Sequence, residues 1–186
     1  MRFSAGCGWF LMLAALPVLA ADQWAIDYDE SDLSFEATQQ GGVFEGHFGA
    51  FNADMFFSAD DLKNSRFDVT VDVTSIDTGS RQRDRELPGP EWFAFNDFPE
   101  ATFDTREIRA TADGYEAIGE LRIRDVAHTI TLPFTWDADQ EKAQMRGAVT
   151  IDRTRYGVGQ GDWLDPDAVG HDVRVIVDLT LTRAGT

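Results

Sequence analysis

Five aromatic residues, Trp92, Phe93, Phe95, Phe98 and Phe103, crowd into a dozen positions of this chain. Just upstream lies a charged group, Arg81, Arg83, Asp84, Arg85 and Glu86, and Pro88, Pro90 and Pro99 punctuate the run. Rings at that density either fill the end of a hydrophobic core or form a wall against which an apolar ligand lies, and the spacing leaves both open. Beside them, Arg83, Arg153 and Tyr156 have the chemistry to hold the polar end of such a ligand. A guanidinium offers its N–H groups as a planar fork that matches a phosphate or carbonyl. The competing reading of Arg83 is local: with Asp84 it pairs with neighbours and fixes its own loop. Trp163 follows Gly157-Val158-Gly159-Gln160-Gly161 and could line the same rim. Those glycines are not a phosphate loop, because nothing sets them between a strand and a helix with a lysine.

Other chemistries find less support. His47, His128 and His171 fall on separate predicted strands or their ends, without the close pairing of a zinc motif. Ser75, Ser80 and Asp84 supply hydroxyls and a carboxylate, but no Gly-x-Ser-x-Gly elbow exists and no histidine sits in the same stretch. Asp60-Asp61 and Asp165-x-Asp167 read as solvated turns, with weak calcium binding across residues 162–172 as the lesser alternative. An enzyme acting on a lipid would therefore lack a recognisable catalytic set, and no cofactor is expected.

The first 21 residues read as a secretory signal peptide, with Arg2, an apolar run from Trp9 to Leu16 and a small-residue cleavage signal at Val18-Leu19-Ala20. The run is too short to span a bilayer, so a mature domain of residues 22–186, exported to the periplasm or beyond without a stable membrane anchor, is expected. Cys7, the only cysteine, lies in that segment; disulfides, thiol catalysis and cysteine-bound metals are excluded from the mature chain. The net charge is −17, and removal of the segment takes one arginine and no acidic residue. Such a charge repels nucleic acid and anionic membranes. It keeps an exported protein soluble, or suits a salty habitat where screening relieves the self-repulsion.

The elements that must carry these residues are strands. Phe67, Val69, Val71 and Val73 alternate with polar residues, as do Ile130, Leu132, Phe134 and Trp136, and Val173 to Leu181 forms an unbroken apolar row. Weaker alternation covers 33–37, 43–57, 101–110, 115–124 and 144–152, with turns at Gln39-Gln40-Gly41-Gly42 and Asp113-Gly114. Gly46 and Gly49 mark the 43–57 segment as bent or bulged. Helix is expected only at 59–64 and in parts of 80–95. About eight antiparallel strands joined by short hairpins predict an all-β, up-and-down barrel rather than a sandwich, wide enough to hold one small apolar ligand. The long crossover of residues 75–103 is expected to be a helical, aromatic lid over one end.

Five segments, in order along residues 24–158, are together similar to the YceI-like family. Trp24-Ala25-Ile26-Asp27 with Ser31 and Phe35 resembles its opening, and Gly46-x-Phe48-x-x-Phe51 its second segment. Ser75-Ile76-Asp77-Thr78, Arg83-Asp84-x-x-Leu87, Trp92-Phe93 and Phe98-Pro99-x-Ala101-x-Phe103 resemble its most characteristic run. Gly119-x-Leu121-x-Ile123-Arg124-x-Val126 and Ile151-x-Arg153-x-x-Tyr156-Gly157-Val158 complete it. The sequence departs at Glu86, where the family usually has histidine, and at Asp125, where glycine is usual. The resemblance implies a lipocalin-like eight-stranded barrel with an elongated apolar cavity, a helical segment near its mouth and an isoprenoid or other long amphiphile inside. It further implies periplasmic quinone or lipid handling and a tendency to homodimers.

The combined expectation is a non-enzymatic carrier or buffer of a polyisoprenoid, quinone or similar long-chain amphiphile. Arg83, Trp92, Phe93, Phe98, Phe103, Arg153, Tyr156 and Trp163 are expected near the mouth; Val71, Leu121, Leu132 and Val149 lie deeper. Which parity of each strand faces inward stays open, since a slip of one residue exchanges the faces. The rival expectation is a protein-interaction or stress-response module whose barrel is filled and holds no ligand.

Overall fold

In the computed structural model, which describes residues 21–184, nearly every element is a strand. In chain order they are β1 (Gln23–Ile26), β2 (Asp32–Gln39), β3 (Gly42–Phe48), β4 (Phe51–Phe56), β5 (Arg66–Asp72) and β6 (Ile76–Asp77). One α-helix, α1 (Arg81–Glu86), separates these from β7 (Glu100–Ala110), β8 (Tyr115–Ile123), β9 (Val126–Ala138), β10 (Lys142–Asp152) and β11 (Asp172–Arg183).

The first six strands are three long staves, each broken once. β1 and β2 both pair with β11, β3 pairs with β2 while β4 pairs with β1, and β5 and β6 continue that order. With β7 to β11 this makes a closed antiparallel barrel of eight staves. The breaks, of two to five residues, are bridged by serines. The Ser31 hydroxyl donates to the Thr180 carbonyl (3.2 Å) and accepts the Thr180 amide (3.0 Å), standing in for the ladder partner that the 3-10 turn at Tyr28–Glu30 removes. Between β3 and β4, Gly49 and Ala50 donate to the carbonyl and hydroxyl of Ser75, in the 3-10 turn that splits β5 from β6. The bend expected in 43–57 therefore falls at Gly49-Ala50. The 59–64 segment forms only a 3-10 turn at Leu62–Asn64. The short β1 and β6 are too brief for alternation to reveal.

Parity is settled by burial. Odd residues point inward on β2, β5, β8, β10 and β11, and even ones on β9, so the apolar row of each stave faces one interior. One end of that interior is solid. Trp24, Met55, Phe57, Phe67 and Phe134 are all at most 3% exposed there, the Trp24 indole donates to the Phe57 carbonyl at 3.0 Å, and Phe57 meets the Tyr115, Phe134 and Trp136 rings edge-on or tilted at 4.5–5.7 Å. Burying each such ring contributes about 1.5–3 kcal/mol. The other end carries the β2–β3 hairpin, the 78–99 and 153–171 crossovers and the β8–β9 turn, and the interior beneath them is hollow.

Candidate ligand-binding cavity

The hollow is a cavity of about 290 Å³ walled by the inward rows of the staves and by the two crossovers. That is roughly twice the ~150 Å³ engineered apolar cavity that stays dry and takes up benzene. Its wall is aliphatic and aromatic apart from Gln39, Thr78, Gln82, Arg83, Glu86 and Arg153, all but the last on the β2–β3 and 78–99 side of the lidded end.

The 78–99 crossover folds in two parts. α1 covers only the charged residues Arg81–Glu86, and ends at Leu87, whose amide still bonds to Arg83; Pro88 and Pro90 then forbid its continuation. The aromatic part, expected to be helical, is instead a run of turns. Trp92 and Ala94 donate to Gly89, Phe93 to Leu87 and Phe98 to Ala94. Those turns aim Trp92 and Phe93 down into the cavity.

The second crossover is held to the first from inside. Arg153 is 4% exposed and spends all its N–H groups on main-chain carbonyls: Nε on Gly170, Nη1 on Val158 and Gly159, Nη2 on Trp163 and Val169, at 2.6–3.0 Å. Burial lowers its pKa, opposed in part by the charge of Asp152. Gly159 makes this possible: its φ is +75°, and a Cβ there would overlap Arg153 Nη1. From outside, Arg124 donates through Nη1 to the Pro90, Trp92 and Gly157 carbonyls. Glu91 accepts the Gly159 and Gln160 amides on its carbonyl and the Trp163 indole on its carboxylate (3.0 Å). Trp92 and Trp163 meet at 5.4 Å.

Arg83 is differently placed. It donates to the Thr78 hydroxyl (3.1 Å), the Thr78 carbonyl (2.8 Å) and Gln39 Oε1 (3.2 Å), and its guanidinium lies 4.0 Å over the Phe44 ring. Among the described residues no carboxylate pairs with it; Asp84 is turned to the Thr78 amide and hydroxyl instead. One N–H on each terminal nitrogen stays uncommitted at the cavity wall. The Trp92 indole N–H is also buried without an acceptor.

Ten of the twelve residues expected at the site share this wall: Val71, Arg83, Trp92, Phe93, Phe103, Leu121, Leu132, Val149, Arg153 and Trp163. Two do not. Phe98 lies outside, 5.5 Å from the Arg124 guanidinium. Tyr156 is 2% exposed but packs edge-on against His128 at 5.0 Å, away from the hollow, and burial raises its phenol pKa. Sequence reasoning missed the polar rim of Gln39, Thr78, Gln82 and Glu86, and the clamp at Arg124. It also passed over Phe44 and Phe48, whose even spacing on one strand put both rings on the inner face. Among the described residues no His, Asp and Glu group could hold a metal ion.

A closed antiparallel barrel with a solid floor, an apolar hollow and a lid of two crossovers defines a lipocalin-like protein. The YceI-like domain model matches residues 24–181, and the chain belongs to the YceI-like family. A UPF0312 protein of Yersinia pestis is 33% identical over 126 residues, 66% of this chain and 65% of the relative, so the match spans just under two thirds of that protein's own length. The solved structure of Burkholderia cenocepacia BcnA is 30% identical and superposes with a TM-score of 0.79 over 84% of this chain and 99% of that one. A Saccharophagus degradans domain described as polyisoprenoid-binding shares the fold at 14% identity, with a TM-score of 0.67 over 88% and 99% of the two chains.

Proposed function

We propose that this protein, exported by residues 1–21, holds a polyisoprenoid, a quinone or a similar long-chain amphiphile non-covalently in the barrel of residues 22–186, as a carrier or buffer. The observation that carries the reading is a cavity apolar along its length whose uncommitted donors, on Arg83, gather at the lidded end. An amphiphile needs that polarity: each buried methylene contributes about 0.8 kcal/mol, while a few polar groups at one end fix orientation. The Saccharophagus domain, described as polyisoprenoid-binding, supports the ligand class. The signal segment lies outside the described residues, and no helix among those described is long and apolar enough to cross a membrane. The rival, a filled interaction module, is disfavoured by the hollow itself. Catalysis is disfavoured because, among the described residues, the wall carries no histidine, cysteine or serine, and its one hydroxyl, on Thr78, is already bonded to Asp84 and Arg83.

The test is native mass spectrometry of the protein from its own source, followed by solvent extraction and titration with ubiquinone and polyprenols. A stoichiometric extra mass that extracts as a prenyl chain names the cargo. An unliganded mass with no uptake from either series refutes the carrier reading in favour of the interaction module.

A further inference from the structure

Among the described residues two seams between staves are laddered over only part of their length: the one between β1–β2 and β3–β4, and the β9–β10 seam. The β9–β10 ladder runs from Ala143↔Ala138 to Gly147↔Phe134 and stops, although both strands continue, β9 to Val126 and β10 to Asp152, on the ladders they form with β8 and β11. The cause is in the sequence. Main-chain groups on a strand alternate between its two neighbours. The Phe134 carbonyl lies against Gly114 on the β8 side, and the Pro133 carbonyl against Gly147 on the β10 side. Pro133 therefore withholds its missing N–H from β10. Beyond it, the continued register sets the main-chain groups of Thr131 and Thr129 opposite those of Thr150 and Asp152 with no ladder between them. The other unladdered stretch, between the β1–β2 and β3–β4 staves, is filled by Tyr28, which bonds Asn52 at 3.0 Å and packs on Phe51. In the β9–β10 seam the comparable filler, Tyr156 against His128, sits at the lid end, above the stretch where Thr131 and Thr150 face each other.

The seam has the make-up of an opening. On its inner side Ile130 and Leu132 face Val149 and Ile151, all four in the cavity wall. On its outer side Thr129, Thr131 and Thr150 are exposed, so hydroxyls and water can satisfy the free main-chain groups. It ends at the ladder below and, at the lid, at His128, which meets the Arg155 carbonyl (3.1 Å) and guanidinium (3.3 Å). The lid above is the harder route. Opening it means parting the two crossovers, with the bonds that Arg124 and Glu91 make between them and the loop that Arg153 ties internally, whereas widening the seam breaks no ladder bond.

We propose, resting on the carrier reading, that the ligand's chain enters and leaves sideways through the β9–β10 seam while the lid stays shut. Continuing the observed register places Thr131 opposite Thr150. In a Cys7→Ser chain, Thr131→Cys with Thr150→Cys closes the seam as a disulfide, and Glu91→Cys with Gln160→Cys ties the lid. Stopped-flow uptake and release of cis-parinaric acid, a fluorescent polyene fatty acid, reads both. The expected result is exchange slowed tenfold or more by the seam disulfide, restored by reductant, with the lid disulfide neutral. Unchanged exchange with the seam shut, or slowing by the lid disulfide alone, overturns the proposal. Failure of the unmodified protein to take up the probe, together with ubiquinone and polyprenols, defeats the carrier reading itself. Pro133→Val, which returns an N–H to the seam, gives an independent reading: amide hydrogen exchange at Thr131 and Thr150 should be fast in the native chain and at least tenfold slower in the variant, with probe exchange slowed alongside. Native amides already protected there show a closed seam and overturn it.

Discussion

The Arg153 guanidinium lies 5.4 Å from the centre of the Trp92 ring, so the buried cation of one crossover is the platform on which the aromatic lid of the other rests. Arginine in a barrel wall reads as a contact for a ligand's head, but its five N–H groups are already taken by carbonyls of residues 158–170. What it supplies is the shape of a loop that has no regular structure beyond short 3-10 turns.

Arg153→Met should therefore destabilise the fold by about 3 kcal/mol or more, because five carbonyls, three of them buried, lose their donors together. Urea unfolding measures this, and intrinsic tryptophan fluorescence should report Trp92 and Trp163 becoming wet in the native baseline. A loss below about 1 kcal/mol would mean the loop is held by something other than this network.

The barrel was legible because alternation survives wherever one face is buried: Phe67 to Val73, Ile130 to Trp136 and Val173 to Leu181 are inward rows as expected. β1 and β6, of four and two residues, carry too few positions to alternate, and the serine bridges at Ser31 and Ser75 depend on partners far off in the chain. At the site, bulk was readable and direction was not. Trp92 and Phe93 turn inward while Phe98, five residues on, turns out to Arg124, because turns rather than a helix set their directions. Arg124 itself lies in a hairpin turn with φ of +56°, and no local pattern announces a side chain whose acceptors sit more than 30 residues away on either side.

Leu121→Trp tests whether the hollow is real in solution. A larger side chain in a close-packed core costs about 1–3 kcal/mol; projecting into vacant space it should cost under about 1 kcal/mol. Affinity for a long-chain ligand should fall at least tenfold by titration calorimetry. A large stability loss would indicate a filled interior.

Arg83→Met separates the head from the chain of the ligand. The variant keeps a long stem over Phe44 but loses the two uncommitted N–H groups. A hydrogen bond to a charged donor contributes about 1.5–3 kcal/mol, so binding of a quinone should weaken roughly tenfold or more, while a prenyl hydrocarbon without a head should bind as before. Equal losses for both ligands would assign Arg83 to the loop, through Thr78 and Gln39, and to nothing else.

Tyr156 makes the alkaline side of the stability profile informative. Burial raises its phenol pKa in the folded chain above the ordinary value of 10.0. Above pH ~10 the unfolded chain loses this proton while the folded chain keeps it, so stability is complete below that pH and declines as pH rises through the folded value. Tyr156→Phe keeps the ring against His128 and has no proton to lose. Its stability at pH 7 should stay within about 1 kcal/mol of the parent, and its decline between pH 10 and 11, followed by thermal unfolding in matched buffers, should be shallower. Parallel declines in the two proteins would show that the phenol is hydrated in solution, and with it that the edge of β9 over Tyr156 stands open to water.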